Sequence, residues 1–120
     1  MSTLFRNLKC RIMVAMEDTI IYGETIDADG RCVHWHSMRD IIANKCATCQ
    51  KFYACHMCHL AKENHEFGRF SASTENKIVM CGVCGHQFTY GRYENISACD
   101  NCQAPFNPGC SLHKHLYVND

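Results

Sequence analysis

The sequence has no net charge and no basic block: 12 lysines and arginines stand against 12 aspartates and glutamates. That balance argues against a nucleic-acid surface. Long apolar runs are also missing. After Arg6, Lys9 and Arg11 comes only Ile12-Met13-Val14-Ala15-Met16, too short for a secretory signal core or a membrane span. Residues 1–16 contain no acid, which leaves an organelle presequence open beside a plain N-terminal extension over residues 1–17. Ordinary apolar side chains are scarce as well. The hydrophobic share is 47%, but it counts 11 cysteines; without them roughly 38% remains, below the usual share for a globular domain. A chain of 120 residues, one domain or two small packed lobes, makes up such a deficit with disulfides or metal.

What is abundant decides between the two. Eleven cysteines cannot all pair, and the eight histidines beside them have no use in a disulfide scaffold. Four Cys-x-x-Cys pairs begin at Cys46, Cys55, Cys81 and Cys99. Two cysteines at that spacing share a metal ion readily, whereas bonding them to each other is a specialised redox arrangement. Free thiolates and no export signal point to a reducing compartment, the cytoplasm.

Thr19-Ile20-Ile21-Tyr22 reads as a strand ending at Gly23, and Asp27-Ala28-Asp29-Gly30 as a turn. Residues 55–65 read as a short helix and the polar stretch 66–77 as a loop. From Ile78 to Cys102 the pattern is strand, knuckle, strand, knuckle. The expected fold is a small metal-bound α+β domain over residues 18–117. It comprises an irregular zinc-organised lobe with a short helix (about 32–65), a zinc-ribbon-like β-hairpin lobe (about 78–104) and a His/Cys tail (105–117).

Cys81-Gly-Val-Cys84 and Cys99-Asp-Asn-Cys102 are separated by 14 residues. Two knuckles joined by a hairpin of that length place four sulfurs on the tetrahedron Zn²⁺ accepts. Cys32-Val-His34 is an i, i+2 pair, whose side chains leave an extended segment by one face. Five residues separate Cys49 from Cys55, too few for one conventional finger, so the sites interleave: Cys32, His34, Cys55 and Cys58 in one, Cys46, Cys49, His59 and His65 in another. His59 and His65 would lie about 240° apart around a straight helix, so the helix should end before His65. The spacing fixes the ligands more firmly than their pairing.

With these residues set out, the chain resembles the CHY zinc fingers over roughly residues 24–117. Asp40-Ile-Ile-Ala43, Phe52-Tyr-Ala-Cys55 and Phe106-Asn-Pro-Gly-Cys110 look like the small stand-alone branch, with fungal helper-of-Tim proteins and bacterial relatives. Trp35 stands where the family has its Tyr, and Cys46-Ala-Thr-Cys49 where it often has adjacent cysteines. The resemblance implies three zinc ions. His36, Cys110, His113 and His115 form either a fourth zinc site or a packed, hydrogen-bonded tail. Cys10, His56 and His86 have no evident partners and read as structural or surface residues. With three Zn²⁺ on nine thiolates the net charge becomes about −3.

The expected function is a zinc-ion-binding protein whose structural sites shape a protein-interaction module, monomeric, with a protein partner or client, no nucleic acid and no membrane. The alternative, which the resemblance implies, is a zinc- and thiol-handling factor that keeps zinc from client cysteines, with the mitochondrial intermembrane space as the alternative compartment for a eukaryotic chain. Catalysis is not expected. The sets are closed, the zinc-deaminase signature is absent, and no βαβ setting frames a redox pair. Nine residues between Cys49 and His59, holding two more cysteines, do not fit a DNA-reading finger.

Overall fold

The computed structural model describes residues 20–107 and 114–119. The N-terminal extension, Cys10, Thr19, Cys110 and His113 lie outside the described residues. In chain order the elements are β1 (Ile21–Tyr22), β2 (Ile42–Lys45), β3 (Phe52–Tyr53), α1 (His56–Lys62), β4 (Phe70–Ser71), β5 (Lys77–Cys81), β6 (Gln87–Thr89), α2 (Tyr90–Tyr93), α3 (Lys114–Tyr117) and β7 (Val118–Asn119).

Five strands make one sheet in the order β1-β3-β2-β5-β6. β1 runs parallel to β3, and the other neighbours are antiparallel. The seam is β2, which pairs with β3 on one side and β5 on the other. A single sheet therefore spans both halves of the cysteine-rich sequence. Ile42, Ala43 and Asn44 are all buried, as expected of a strand covered on both faces, which shows no polar alternation.

The register sets Ile42 opposite Cys81, Ala43 opposite Met80 and Asn44 opposite Val79. Paired residues share a face. One face gathers Ala43, Phe52 and Met80 with Ile21. Ile42, Val79, Cys81 and Phe88 pack in the main cluster with Tyr90 of α2, Phe106 and Val118. Each large apolar side chain buried in this way stabilises the fold by about 1.5–3 kcal/mol, so the third cysteine set sits within the molecule's principal apolar core.

Helix α1 begins at a ligand-type residue. Cys55 is its N-cap, in extended conformation, and its Sγ accepts from the Cys58 N–H at 3.4 Å. The thiolate thus takes the place of the usual Ser or Asp oxygen. The helix stops at Lys62, with Glu63 as C-cap, which puts His65 beyond it on bent chain. Within the stretch read as a loop, β4 pairs in parallel with β7, Phe70 opposite Val118; that partner lies at the far end of the chain, outside any local pattern. The Tyr90–Tyr93 helix, capped by the Thr89 hydroxyl accepting from Arg92 N–H at 3.1 Å, also stands where no helix is expected. No helix among the described residues is long and apolar enough to cross a membrane.

Candidate metal centres

Three of the four Cys-x-x-Cys pairs fold into the same knuckle. The N–H of the first cysteine donates to the carbonyl five residues on: Cys46 to Lys51, Cys81 to His86 and Cys99 to Ala104, each at 2.9 Å. Its carbonyl accepts from the residue four on: Gln50 at 2.8 Å, Gly85 at 2.7 Å and Gln103 at 2.9 Å. Closing so small a ring requires a left-handed residue at that fourth place, with φ of 62° at Gln50, 84° at Gly85 and 69° at Gln103. Glycine does this without steric cost; the two glutamines do not. Their side-chain amides donate back to the knuckle, Gln50 Nε2 to the Ala47 carbonyl at 2.6 Å and Gln103 Nε2 to the Asp100 carbonyl at 3.4 Å. The fourth pair, Cys55 and Cys58, instead caps α1.

These supports converge on three groups: Cys32/His34/Cys55/Cys58, Cys46/Cys49/His59/His65 and Cys81/Cys84/Cys99/Cys102. Within each, one donor atom per residue lies within 4.8 Å of every other. A tetrahedral zinc sets a stricter measure, because its bond lengths imply edges of about 3.8 Å between sulfurs and about 3.6 Å between sulfur and nitrogen. In the first set, Cys32 and Cys55 Sγ are 3.6 Å apart. His34 Nδ1 lies 3.8, 3.4 and 3.5 Å from the sulfurs of Cys32, Cys55 and Cys58. In the third, Cys81–Cys102 and Cys84–Cys99 are each 3.7 Å. Disulfide sulfurs would be about 2.05 Å apart. The residues fit a tetrahedral thiophilic ion, and the described cysteines are free thiols. In the second set Cys49 Sγ lies 4.0 Å from His59 Nε2.

Cys32 and His34 meet on a bend, not on the straight extended segment expected from their spacing. Trp35 N–H donates to Cys32 Sγ at 3.4 Å, and Cys32 N–H to the Trp35 carbonyl at 3.0 Å. Arg31 clamps this loop through Asp27, Asp29 and the Ser37 and Met38 carbonyls. The predicted 27–30 turn is closed by Asp27 Oδ1, which accepts from the N–H groups of Asp29 and Arg31. Gly23 permits the approach of the other half. It has φ +131°, and a side chain there would meet Cys58 Cβ at 2.7 Å.

Burial pushes the Cys55 and Cys81 thiols up. Burial acts the same way on Cys46, but N–H donors from Cys49, Gly68 and Thr48 outweigh it, and the net shift is downward. Such N–H···S bonds suit a sulfur that carries negative charge, and Gly68 N lies 3.1 Å from Cys46 Sγ. Burial and then the nearby His65 lower His59, keeping it in the neutral form that ligates metals.

Around the imidazoles stand carboxylates that the spacing of cysteines and histidines does not reveal. Glu24 Oε1 is 3.6 Å from His34 Nε2. Glu63 Oε1 is 3.6 Å from His65 Nε2. The other oxygen of Glu63 accepts from Tyr53 OH and, at 3.1 Å, from Lys51 Nζ. A carboxylate behind a ligating histidine fixes its ring and raises its basicity. Glu24 stands so behind His34, whose Nδ1 faces the sulfurs. At His65 the Glu66 carbonyl holds Nδ1, and Glu63 lies beside Nε2, the nitrogen left to ligate. Glu63 falls four residues after His59, at the helix end, the one local hint of its role.

Of the remaining candidates, His36 and His115 are both exposed, and neither belongs to a metal-competent group among the described residues. Cys110 and His113 of the same tail set lie outside the described residues. His56 docks on Tyr117, its N–H donating to the hydroxyl at 3.0 Å. His86 packs edge-on against Phe88, with centroids 4.7 Å apart.

Frame and donors together define a class: a small, cysteine-rich α+β protein with three Cys/His groups among its described residues able to hold metal ions. Comparison with known proteins narrows it. The chain is 44% identical to Helper of Tim protein 13 of Saccharomyces cerevisiae, over 88% of this chain and 95% of that protein. It is 39% identical to Helper of Tim protein 13 of Kluyveromyces lactis, covering 85% and 90%, and 37% identical to an uncharacterised protein of Schizosaccharomyces pombe, covering 88% and 95%. The chain belongs to the Helper of Tim protein 13 family. No family model matches it.

Proposed function

We propose that this is a non-catalytic, CHY-type zinc protein whose three ions shape a surface for a protein partner. The ligands are Cys32, His34, Cys55 and Cys58; Cys46, Cys49, His59 and His65; and Cys81, Cys84, Cys99 and Cys102. The carrying observation is the 3.4–3.8 Å donor spacing in the first and third sets, which suits zinc among metals with thiolate and imidazole ligands. Bound zinc supplies cross-linking and neutralises buried thiolates. Each set offers four protein donors, so no position is left open for substrate, as a catalytic zinc requires.

The loop that carries Cys32 and His34 leaves Ile26, Val33, Trp35 and Met38 exposed, Met38 by 81%. Several apolar side chains on one clamped loop support a protein-docking role. The relatives' name makes Tim proteins the first partners to test, and the resemblance to helper-of-Tim proteins favours the mitochondrial intermembrane space over the cytoplasm. Native mass spectrometry should count three zinc ions per monomer; four would recruit the His36/Cys110/His113/His115 set, and none or one would sink the reading. Met38→Ser with Trp35→Ser should weaken capture of purified Tim proteins without changing that count. The half-buried Cys49 and His65 of the second set favour a further reading, in which zinc is handed to or taken from a client.

A further inference from the structure

We infer that the Cys46/Cys49/His59/His65 set is the exchangeable site of the chain, and that His65 is the ligand that lets go. This rests on the zinc-handling reading and assigns it to a place and a residue.

Donor type and placement separate this set from the other two. Its donors include only two thiolates, against three and four elsewhere, and thiolates are the stronger zinc donors. Three of its donors are anchored: Cys46 and Cys49 on a closed knuckle between β2 and β3, and His59, 1% exposed, on α1. His65 lies outside any regular element, on residues 63–69. That span is tied by Glu63 N–H to the His59 carbonyl at 2.9 Å, by Ala47 N–H to the Gly68 carbonyl at 2.8 Å, by Gly68 N–H to Cys46 Sγ at 3.1 Å and by Phe67, edge-on to His59 and Tyr117. Its Nδ1 lies 2.7 Å from the carbonyl of its own neighbour Glu66, and its side chain is 27% exposed.

His34 of the first set is a fair control, because its side chain is 21% exposed and also backed by a carboxylate. Its loop, however, is clamped by four Arg31 contacts, and its ring sits against three sulfurs. Exposure alone therefore does not mark the leaving ligand; what separates the two is that His34 joins three thiolates and His65 only two. Glu63 stands beside Nε2 of His65, and Lys51 and Tyr53 pin its carboxylate, so it remains at the site when the imidazole departs. The exchange moves no electrons: His65 leaves as neutral imidazole, and an incoming thiolate or chelator donor takes its place.

The test uses the zinc-loaded full chain, the chelating dye pyridylazoresorcinol, and thiol alkylation read by peptide mapping. One of the three zinc equivalents should leave about tenfold faster than the others, a difference of about 1.4 kcal/mol in barrier. Cys46 and Cys49 should become alkylated in that phase and no other cysteine pair. His65→Cys replaces the loose imidazole with a thiolate and should slow the fast phase about tenfold, the factor that 1.4 kcal/mol of barrier represents, with protection of Cys46 and Cys49 following. His65→Ala, should it stay folded, should begin with the ion and the protection already lost. Release of all three ions in one phase overturns the inference, as does early alkylation of a cysteine in either of the other two sets or a fast phase indifferent to His65→Cys. A chain purified with no zinc overturns the underlying metal reading instead.

Discussion

The second and third donor sets start from the same knuckle and end with opposite support. In the third, two knuckles face each other across a hairpin. Cys81 and Cys99 are part of the main apolar cluster with Ile42, Val79, Phe88 and Phe106, and Arg92 braces the second knuckle by gripping Asp100 with two 2.8 Å bonds. In the second, one knuckle faces two imidazoles, one on a helix and one past its end. None of its four donors lies in an apolar cluster as a core member. A metal held by the third set would therefore be set into the apolar core, while one held by the second would mainly tie the 63–69 segment to the sheet.

The strongest way to break that contrast is to remove one sulfur from the third set. A structural zinc contributes on the order of 10 kcal/mol, comparable to the whole stability of a domain, about 5–15 kcal/mol. Cys99→Ser should thus abolish cooperative melting, followed by circular dichroism, and collapse amide dispersion in the NMR spectrum. A variant that keeps a sharp transition with two zinc ions bound would show that the apolar cluster stands without its metal.

His65→Ala probes the other side. The zinc count should fall by one while a cooperative transition remains, at a cost of about 3 kcal/mol, the upper end for an ordinary substitution. Global unfolding, equal to that of Cys99→Ser, would erase the distinction between the sets.

Tyr53→Phe sharpens it further. The Tyr53 hydroxyl, then Lys51, holds the Glu63 carboxyl below its ordinary value of 4.5. The contribution of Glu63 is therefore complete above that pH and lost as pH falls through the lowered pKa. Removing the hydroxyl should let the Glu63 pKa rise, read by carboxyl NMR, and should speed zinc release from the second set only. Faster release from the third set would mean that the substitution acts through general destabilisation.

Much of the donor geometry is legible in the sequence because metal spacing is a short-range code. Cys-x-x-Cys, the 14 residues between Cys84 and Cys99, and the helix that must end before His65 all lead to the groups that the fold assembles. The frame is harder to read. β2 is covered on both faces, so Ile-Ala-Asn shows no alternation, and β4 acquires strand character only from Val118 and Asn119 across the chain. Glu63 looks like any exposed helix-end acid until Tyr53 and Lys51 converge on it. Gln50 and Gln103 give no sign at all of left-handed backbone, because glutamine has no special liking for it.

Those glutamines offer the finest comparison, three copies of one knuckle that differ at a single position. Left-handed backbone costs an ordinary residue about 1–2 kcal/mol, whereas glycine pays instead about 0.5–1 kcal/mol in chain entropy. The side-chain hydrogen bond offsets part of the strain, by about 0.5–1.5 kcal/mol where it is well formed. It is well formed at Gln50, at 2.6 Å, and stretched at Gln103, at 3.4 Å. Gln103→Gly should therefore stabilise the chain by about 0.5 kcal/mol, and Gln50→Gly should be near neutral or slightly destabilising. Gly85→Ala supplies the reciprocal, since nothing lies within 4 Å of the added carbon and only the φ of 84° opposes it; it should cost about 1 kcal/mol. Denaturant melts of the zinc-loaded variants would resolve the order, and equal effects at Gln50 and Gln103 would show that the amide-to-carbonyl bonds do not support the knuckles.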